Sequence, residues 1–241
     1  MARFVMVHGA FAGAWAWGPL AAELEREGHT VEAVDLPGSG DDQTPVPGVT
    51  LDAYADRVCA ALAERPEPAV VVPNSMGGMA VTQAAARCPE RMAAIVYVAA
   101  FVPQDGQSLI ELTQLPEGAD DQIQANLVVD EARGVAVLSD EHSIHAMYEC
   151  CTDAVARWAV QHQRDQPGAP FAQPAALPAG VVEAIPRSYV LCTRDNAIPP
   201  ALQRRMVAAA GITDVVELDT DHSPHMSRTE ELAELLGRRA G

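Results

Sequence analysis

Val70-Val71-Val72-Pro73-Asn74-Ser75-Met76-Gly77-Gly78 is the stretch on which the fold turns. Ala69 to Val72 is short, apolar and without polar alternation, the pattern of a strand buried on both faces. It runs straight into Ser75, small residues follow at once, and a helical pattern comes next. This is the layout of a nucleophile elbow, a strained strand-to-helix turn that lifts a serine hydroxyl above the sheet. Gly77 lets the helix start close to the strand, and the Met76 N–H is then free at a helix N-terminus as an oxyanion donor. A plain serine N-cap is the simpler use of the same residues. The usual elbow reads Gly-x-Ser-x-Gly, and Pro73 stands in place of the first glycine. Proline removes a ladder donor at the end of a central strand, so a less active Ser75 is one reading of this departure.

Working outward, short apolar runs recur at Phe4–Val7, Val31–Val34, Ile95–Ala99, Ser188–Cys192 and Val215–Leu218. Between them lie amphipathic segments, Gly18–Glu27, Leu51–Glu64 and Pro199–Ala210, and Ser227-Arg228-Thr229-Glu230 reads as a capping box opening a last helix through Leu236. Strand–helix alternation of this kind predicts an α/β fold with a mostly parallel sheet covered on both faces. The alternation fails between about Pro103 and Pro186, where one clear helical piece, Thr152–Gln163, stands among many prolines. A structureless loop of that length does not suit a compact domain. The expected organisation is therefore a core of residues 1–102 and 187–241 with a helical cap insertion over 103–186.

The first strand ends in Val7-His8-Gly9-Ala10-Phe11, and a strand followed by His-Gly and a small residue suits an oxyanion loop, with the Ala10 N–H donating beside that of Met76. A dinucleotide-binding turn with Asp35 as the ribose acid is the rival. The glycines argue against it, because Gly9 and Gly13 are spaced Gly-x-x-x-Gly and Asp35 runs into the turn Leu36-Pro37-Gly38-Ser39-Gly40. A serine nucleophile needs a base and an orienting acid. His222 follows the last strand and is the best-placed base, with His225 the alternative; Asp195 follows the strand before it. Ser75, Asp195 and His222 each fall just past a predicted strand end. His142 and His145, like His222 and His225, are three apart as metal ligands can be, but no cysteine or carboxylate set of zinc-like spacing accompanies them, so no metal is expected.

Composition bounds the rest. The chain has 241 residues and a formal net charge of −17, and all 16 of its basic residues are arginine. Without lysine there is no Schiff-base chemistry and no P-loop lysine. The acidic balance argues against nucleic acid or an anionic membrane as partner. The apolar run to Trp17 is broken by His8, Gly9 and Gly13, unlike a signal peptide. Cys59, Cys88, Cys150, Cys151 and Cys192 are odd in number and lack framework spacing, so they read as reduced thiols of a cytoplasmic protein.

Together these motifs resemble the α/β-hydrolase superfamily over nearly the whole chain, and within it the plant methylesterase and hydroxynitrile lyase group and its bacterial esterase relatives. The carrying residues are Val7-His8-Gly9-Ala10 with Trp15, Asp35-Leu36-Pro37-Gly38-Ser39-Gly40, Thr50-Leu51-Asp52-Ala53-Tyr54-Ala55, Ser75-Met76-Gly77-Gly78, Cys192-Thr193-Arg194-Asp195 with Ile198-Pro199, and Asp221-His222. The order Ser, Asp, His is also that group's order. The resemblance implies a triad of Ser75, Asp195 and His222, an oxyanion hole from Ala10 and Met76, a cap, and no cofactor. It implies a serine esterase; the 5% aromatic content points to a small or medium apolar ester, and a homodimer is left open. Phe11, Met147, Tyr148, Trp158 and Phe171 are the expected pocket lining, with plain packing between cap and sheet as their other use. The (S)-selective lyases carry threonine at the position of Gly9 and lysine at that of Ser223, and the (R)-selective ones asparagine at Gly9; both departures point to hydrolysis. A lyase or carbon–carbon hydrolase with the same triad, and a non-hydrolytic binding protein with an elbow disabled by Pro73, are the alternatives.

Overall fold

The structure, a computed structural model, describes residues 1–239. Its strands are β1 (Arg3–Val7), β2 (Thr30–Val34), β3 (Ala69–Ser75), β4 (Met92–Ala100), β5 (Val128–Asp130), β6 (Val135–Val137), β7 (Gln166–Pro167), β8 (Arg187–Cys192) and β9 (Asp214–Leu218). The helices before the middle segment are α1 (Gly18–Arg26), α2 (Leu51–Ala63) and α3 (Gly77–Ala85). The middle segment carries α4 (Leu109–Thr113), α5 (Gln122–Asn126), α6 (Asp140–Met147), α7 (Asp153–His162) and α8 (Ala169–Ala172), and α9 (Pro200–Ala209), α10 (Pro224–Ser227) and α11 (Thr229–Arg239) follow.

The six apolar runs pair as one parallel sheet in the order β2-β1-β3-β4-β8-β9. Successive strand residues alternate between two cores, because neighbouring side chains on a strand point to opposite faces. Phe4, Met6, Val70, Val72, Val96 and Val98 pack with Leu20 and Leu24 of α1 and Leu232 and Leu236 of α11. Val5, Val7, Val71, Ile95, Tyr97 and Tyr189 face the other way, among residues of α2, α3 and α9. A sheet wrapped on both sides has no polar face, and its strands read as continuous apolar runs for that reason.

The middle segment is more than helical. It also holds a small antiparallel sheet, β5-β6-β7, whose strands of two or three residues are too short to show a period in sequence. The capping box expected at Ser227 does not form. Ser227 ends α10 and its hydroxyl donates to Asp221 Oδ1 at 2.8 Å, while the last helix starts at Thr229.

The reading of five reduced thiols is corrected at two of them. Cys59 and Cys88 form a disulfide, with Cα atoms 6.1 Å apart. Cys59 lies on α2 and Cys88 just past α3, and the packing of these helices brings together residues 29 apart in the chain. Spacing alone cannot reveal a pair made by packing. The closed loop is worth ~3–4 kcal/mol by chain entropy. Reduction is therefore expected to lower the melting temperature by roughly 7–14 °C, measured by thermal melts with and without reductant. An unchanged melt would mean the bridge does not form in solution.

Candidate active site

All six strands of the main sheet run parallel, so their C-terminal ends share one edge. Ser75 ends β3, and Asp195 and His222 follow β8 and β9; all three are buried. Ser75 has φ 54°, a left-handed conformation that costs a non-glycine residue energy and marks the elbow turn. Phe11 in the loop after β1 and Ala99 on β4 share this strain, with φ of 64° and 42°. The elbow thus forms with Pro73 in it, opposite Val7 on β1. A Cβ on Gly77 would lie 2.6 Å from the Val7 carbonyl oxygen, so only glycine lets α3 start this close to β1.

Asp195 is held from four directions. Its Oδ1 accepts the N–H groups of Ala197 and Ile198, each at 2.8 Å. Its Oδ2 accepts from His222 Nδ1 at 2.8 Å and from Gln203 Nε2 at 3.0 Å. The Gln203 carbonyl is fixed in turn by the Cys192 N–H at 3.1 Å. Burial alone would lower the His222 pKa, but the Asp195 carboxylate opposes it by charge and hydrogen bond, with Asp221 and Asp121 adding to it, and the net shift is upward. His222 Nε2 is buried without a partner among the described residues, and no hydrogen bond joins it to Ser75 Oγ. Contacts of that kind commonly tighten only when substrate binds.

The histidine loop is pinned as well. Asp221 accepts the Ser223 N–H and the Ser227 hydroxyl on Oδ1 and the Cys150 N–H on Oδ2, the last at 2.7 Å. Asn74, next to the nucleophile, donates to the carbonyl oxygens of Val98 and His222. On the other side, the Leu36 N–H donates to His8 Nε2, so the neutral ring carries its proton on Nδ1 and donates it to the Gly9 carbonyl at 2.7 Å. Burial lowers the His8 pKa and keeps it neutral. The carboxylate that could have read a ribose is spent locally: Asp35 accepts the Ala14 N–H at 2.6 Å and the Asp41 N–H at 3.2 Å. His225, the other base considered, stacks on Trp17 with ring centroids 4.6 Å apart, and burial pushes its pKa down to about 3.

A narrow cavity of about 20 Å³ opens over Ser75. Ala10 and Met76 line it, and neither N–H donates to another described residue. Leu109, Thr113, Asp121, Ile123, Gln124 and Phe171, all from the segment between β4 and β8, close it from above. A wider groove of about 720 Å³ adjoins it through Gln124 and Phe171 and runs past Val46 and Val135. Of the expected pocket residues only Phe171 lies on the wall. Phe11, Met147 and Tyr148 are buried in the core and Trp158 is 40% exposed against Trp15, so packing has taken them instead. The roles of Gln203, Asn74, Asp221 and Asp121 had no signal in sequence: Asp121 and Asp221 also bond near neighbours, but the place of each of the four beside the triad or the cavity is set by packing. His142 and His145 bond Ser139 and Glu149, and no cluster of three or more candidate metal ligands occurs among the described residues. No helix among them is long and apolar enough to cross a membrane.

A buried carboxylate–imidazole pair, a serine on a strained turn and two free amides are the parts that acyl transfer requires. Comparison with known proteins gives the family. A model described as the alpha/beta hydrolase family matches residues 4–235. Methylesterase 7 of Arabidopsis thaliana is 30% identical over 97% of this chain and 94% of its own length. An alpha-hydroxynitrile lyase of the same plant is 27% identical, over 97% and 95%. Polyneuridine aldehyde esterase of Rauvolfia serpentina is 27% identical, over 97% and 94%. A crystal structure of polyneuridine aldehyde esterase superposes with a TM-score of 0.88 at 25% identity, covering both chains in full.

Proposed function

The chain belongs to the alpha/beta hydrolase family, and on that premise we propose that it hydrolyses carboxylic esters by acyl transfer through Ser75. The observation that carries this is the buried His222 Nδ1 to Asp195 Oδ2 bond of 2.8 Å, with Nε2 left free on the same sheet edge as the strained Ser75. His222 Nε2 takes the Ser75 proton as Oγ attacks the ester carbonyl, and gives it to the departing alcohol. Asp195 holds the tautomer that leaves Nε2 able to accept, and stabilises the imidazolium. The Ala10 and Met76 N–H groups receive the oxyanion, each worth ~3 kcal/mol of transition-state stabilisation. Water then attacks the acyl-enzyme, His222 takes its proton and returns it to Ser75, and the acid leaves. The segment over 103–186 acts as the cap, and the mostly apolar cavity walls suit a small or medium apolar acyl or alcohol group.

Hydrolysis is favoured over cyanohydrin cleavage by two positions. Ser223 cannot supply the cation that departing cyanide needs, and a Cβ on Gly9 would lie 2.6 Å from Ser75 Cβ, leaving no room for the threonine of the lyases. A cytoplasmic location now rests on Cys150, Cys151 and Cys192 alone, since the bridged pair speaks for an oxidising compartment.

A panel of chromogenic esters of varied acyl length, run on the wild type and on Ser75→Ala, tests the assignment: turnover in the first and none in the second. The pH dependence carries a sign. Catalysis needs neutral His222, whose pKa is raised, so kcat/KM falls on the acid side. The midpoint of that fall is expected above the ~6.5 of an ordinary histidine. A midpoint at or below that value would remove His222 as the base.

A further inference from the structure

The cavity over Ser75 has mostly apolar walls, with Thr113, Gln124 and one carboxylate, Asp121, among them. Asp121 lies at the N-terminus of the short helix α5, 4% exposed, and lines the same cavity as Ser75. Its Oδ1 accepts the N–H groups of Ile123 and Gln124, at 2.8 and 3.0 Å. Its Oδ2 accepts from no described residue. Thr113, the nearby hydroxyl on the wall, spends its proton on the Ile110 carbonyl at 2.9 Å. Capping does not explain a carboxylate here, because asparagine or serine caps a helix as well and buries no charge. The unpartnered Oδ2 is not fully enclosed and belongs to a residue of the cavity wall, so it is an acceptor offered to whatever group sits over Ser75.

We propose that Asp121 determines substrate specificity: its Oδ2 accepts a hydrogen bond from a hydroxyl or ammonium group carried by the ester near the scissile carbonyl, and repels esters carrying a carboxylate there. The assignment rests on the acyl-transfer reading, which places the ester over Ser75. Burial pushes the Asp121 carboxyl up to about 6, against the pull of its two backbone donors, as an under-solvated anion requires. Assays run above that value keep it ionised. Asp121 and Ser75 line the same narrow cavity, so an ester held over Ser75 brings substituents near its carbonyl toward Asp121.

The test compares kcat/KM for methyl butanoate, its β-hydroxy and β-amino derivatives, and monomethyl succinate, on the wild type, Asp121→Asn and Asp121→Ser. Both replacements keep a capping oxygen. In the wild type the hydroxy and amino esters are expected to exceed methyl butanoate by roughly tenfold to a hundredfold, the size of one charge-assisted hydrogen bond, and monomethyl succinate to fall below it. In both variants the ratios should collapse toward one. Ratios unchanged in the variants, or a wild type that takes monomethyl succinate as readily as the hydroxy ester, would overturn the role of Asp121 while ester hydrolysis stands. Should the wild type turn over none of the esters, the acyl-transfer reading fails instead. Binding then decides Asp121: ligand-observed NMR on Ser75→Ala should give tighter binding of the hydroxy ester than of methyl butanoate, and equal binding overturns the proposal.

Discussion

Ser75→Ala is expected to remove ester turnover by a factor on the order of 10⁶, the loss seen when a serine nucleophile is deleted from a working triad. What survives is the contribution of the oxyanion donors and of binding, because water must then attack without a covalent intermediate. The fold should tolerate the change. Ser75 Oγ makes no hydrogen bond to a described residue, and alanine meets the same backbone strain at φ 54° that serine does, so stability should move by less than ~1 kcal/mol. The measurement is kcat/KM on the best chromogenic ester beside a thermal melt. A fluorophosphonate should label the wild type on the peptide holding Ser75 and leave the variant unlabelled. Retained turnover in a folded variant would place the nucleophile elsewhere. A wild type that neither reacts nor turns over would support a binding protein, the reading that Pro73 motivates.

Asp195→Asn should cost ~10⁴ in kcat with the fold kept, through the tautomer of His222. The asparagine oxygen can still accept from Ala197 and Ile198, which leaves its amide facing His222 Nδ1 and Gln203 Nε2. Nδ1 must then accept, the proton moves to Nε2, and the ring can no longer take the Ser75 proton. Two amide groups also oppose each other, because Gln203 cannot turn without losing the Cys192 N–H, at a cost of ~1–3 kcal/mol. The effect on kcat should far exceed the effect on KM, and ester turnover near the wild-type level would show that Asp195 does not orient the base.

Much of the fold was legible because one physical cause acts along the chain. Phe4–Val7, Ala69–Val72 and the other runs are apolar without alternation since both faces of the sheet are covered, and the helices between them carry one apolar stripe each. Ser75, Asp195 and His222 were legible because parallel strands deliver their following residues to one edge. The middle segment was less so. Its strands are two or three residues long, and residues such as Met147 and Tyr148 are apolar whether they face a substrate or a neighbour.

The sequence by itself determined the layered α/β architecture and the order and strand-end positions of the three candidate catalytic residues; the turn away from cyanohydrin chemistry came from the resemblance, whose lyases carry a lysine that this chain lacks. Only the tertiary structure decided that Cys59 meets Cys88, that Gln203 shares Asp195 with His222, and that Asp121 stands in the cavity over Ser75. Periodicity and turn chemistry are local and leave their mark residue by residue. A disulfide partner, a second donor on a carboxylate and the wall of a pocket are set by packing between segments far apart in the chain.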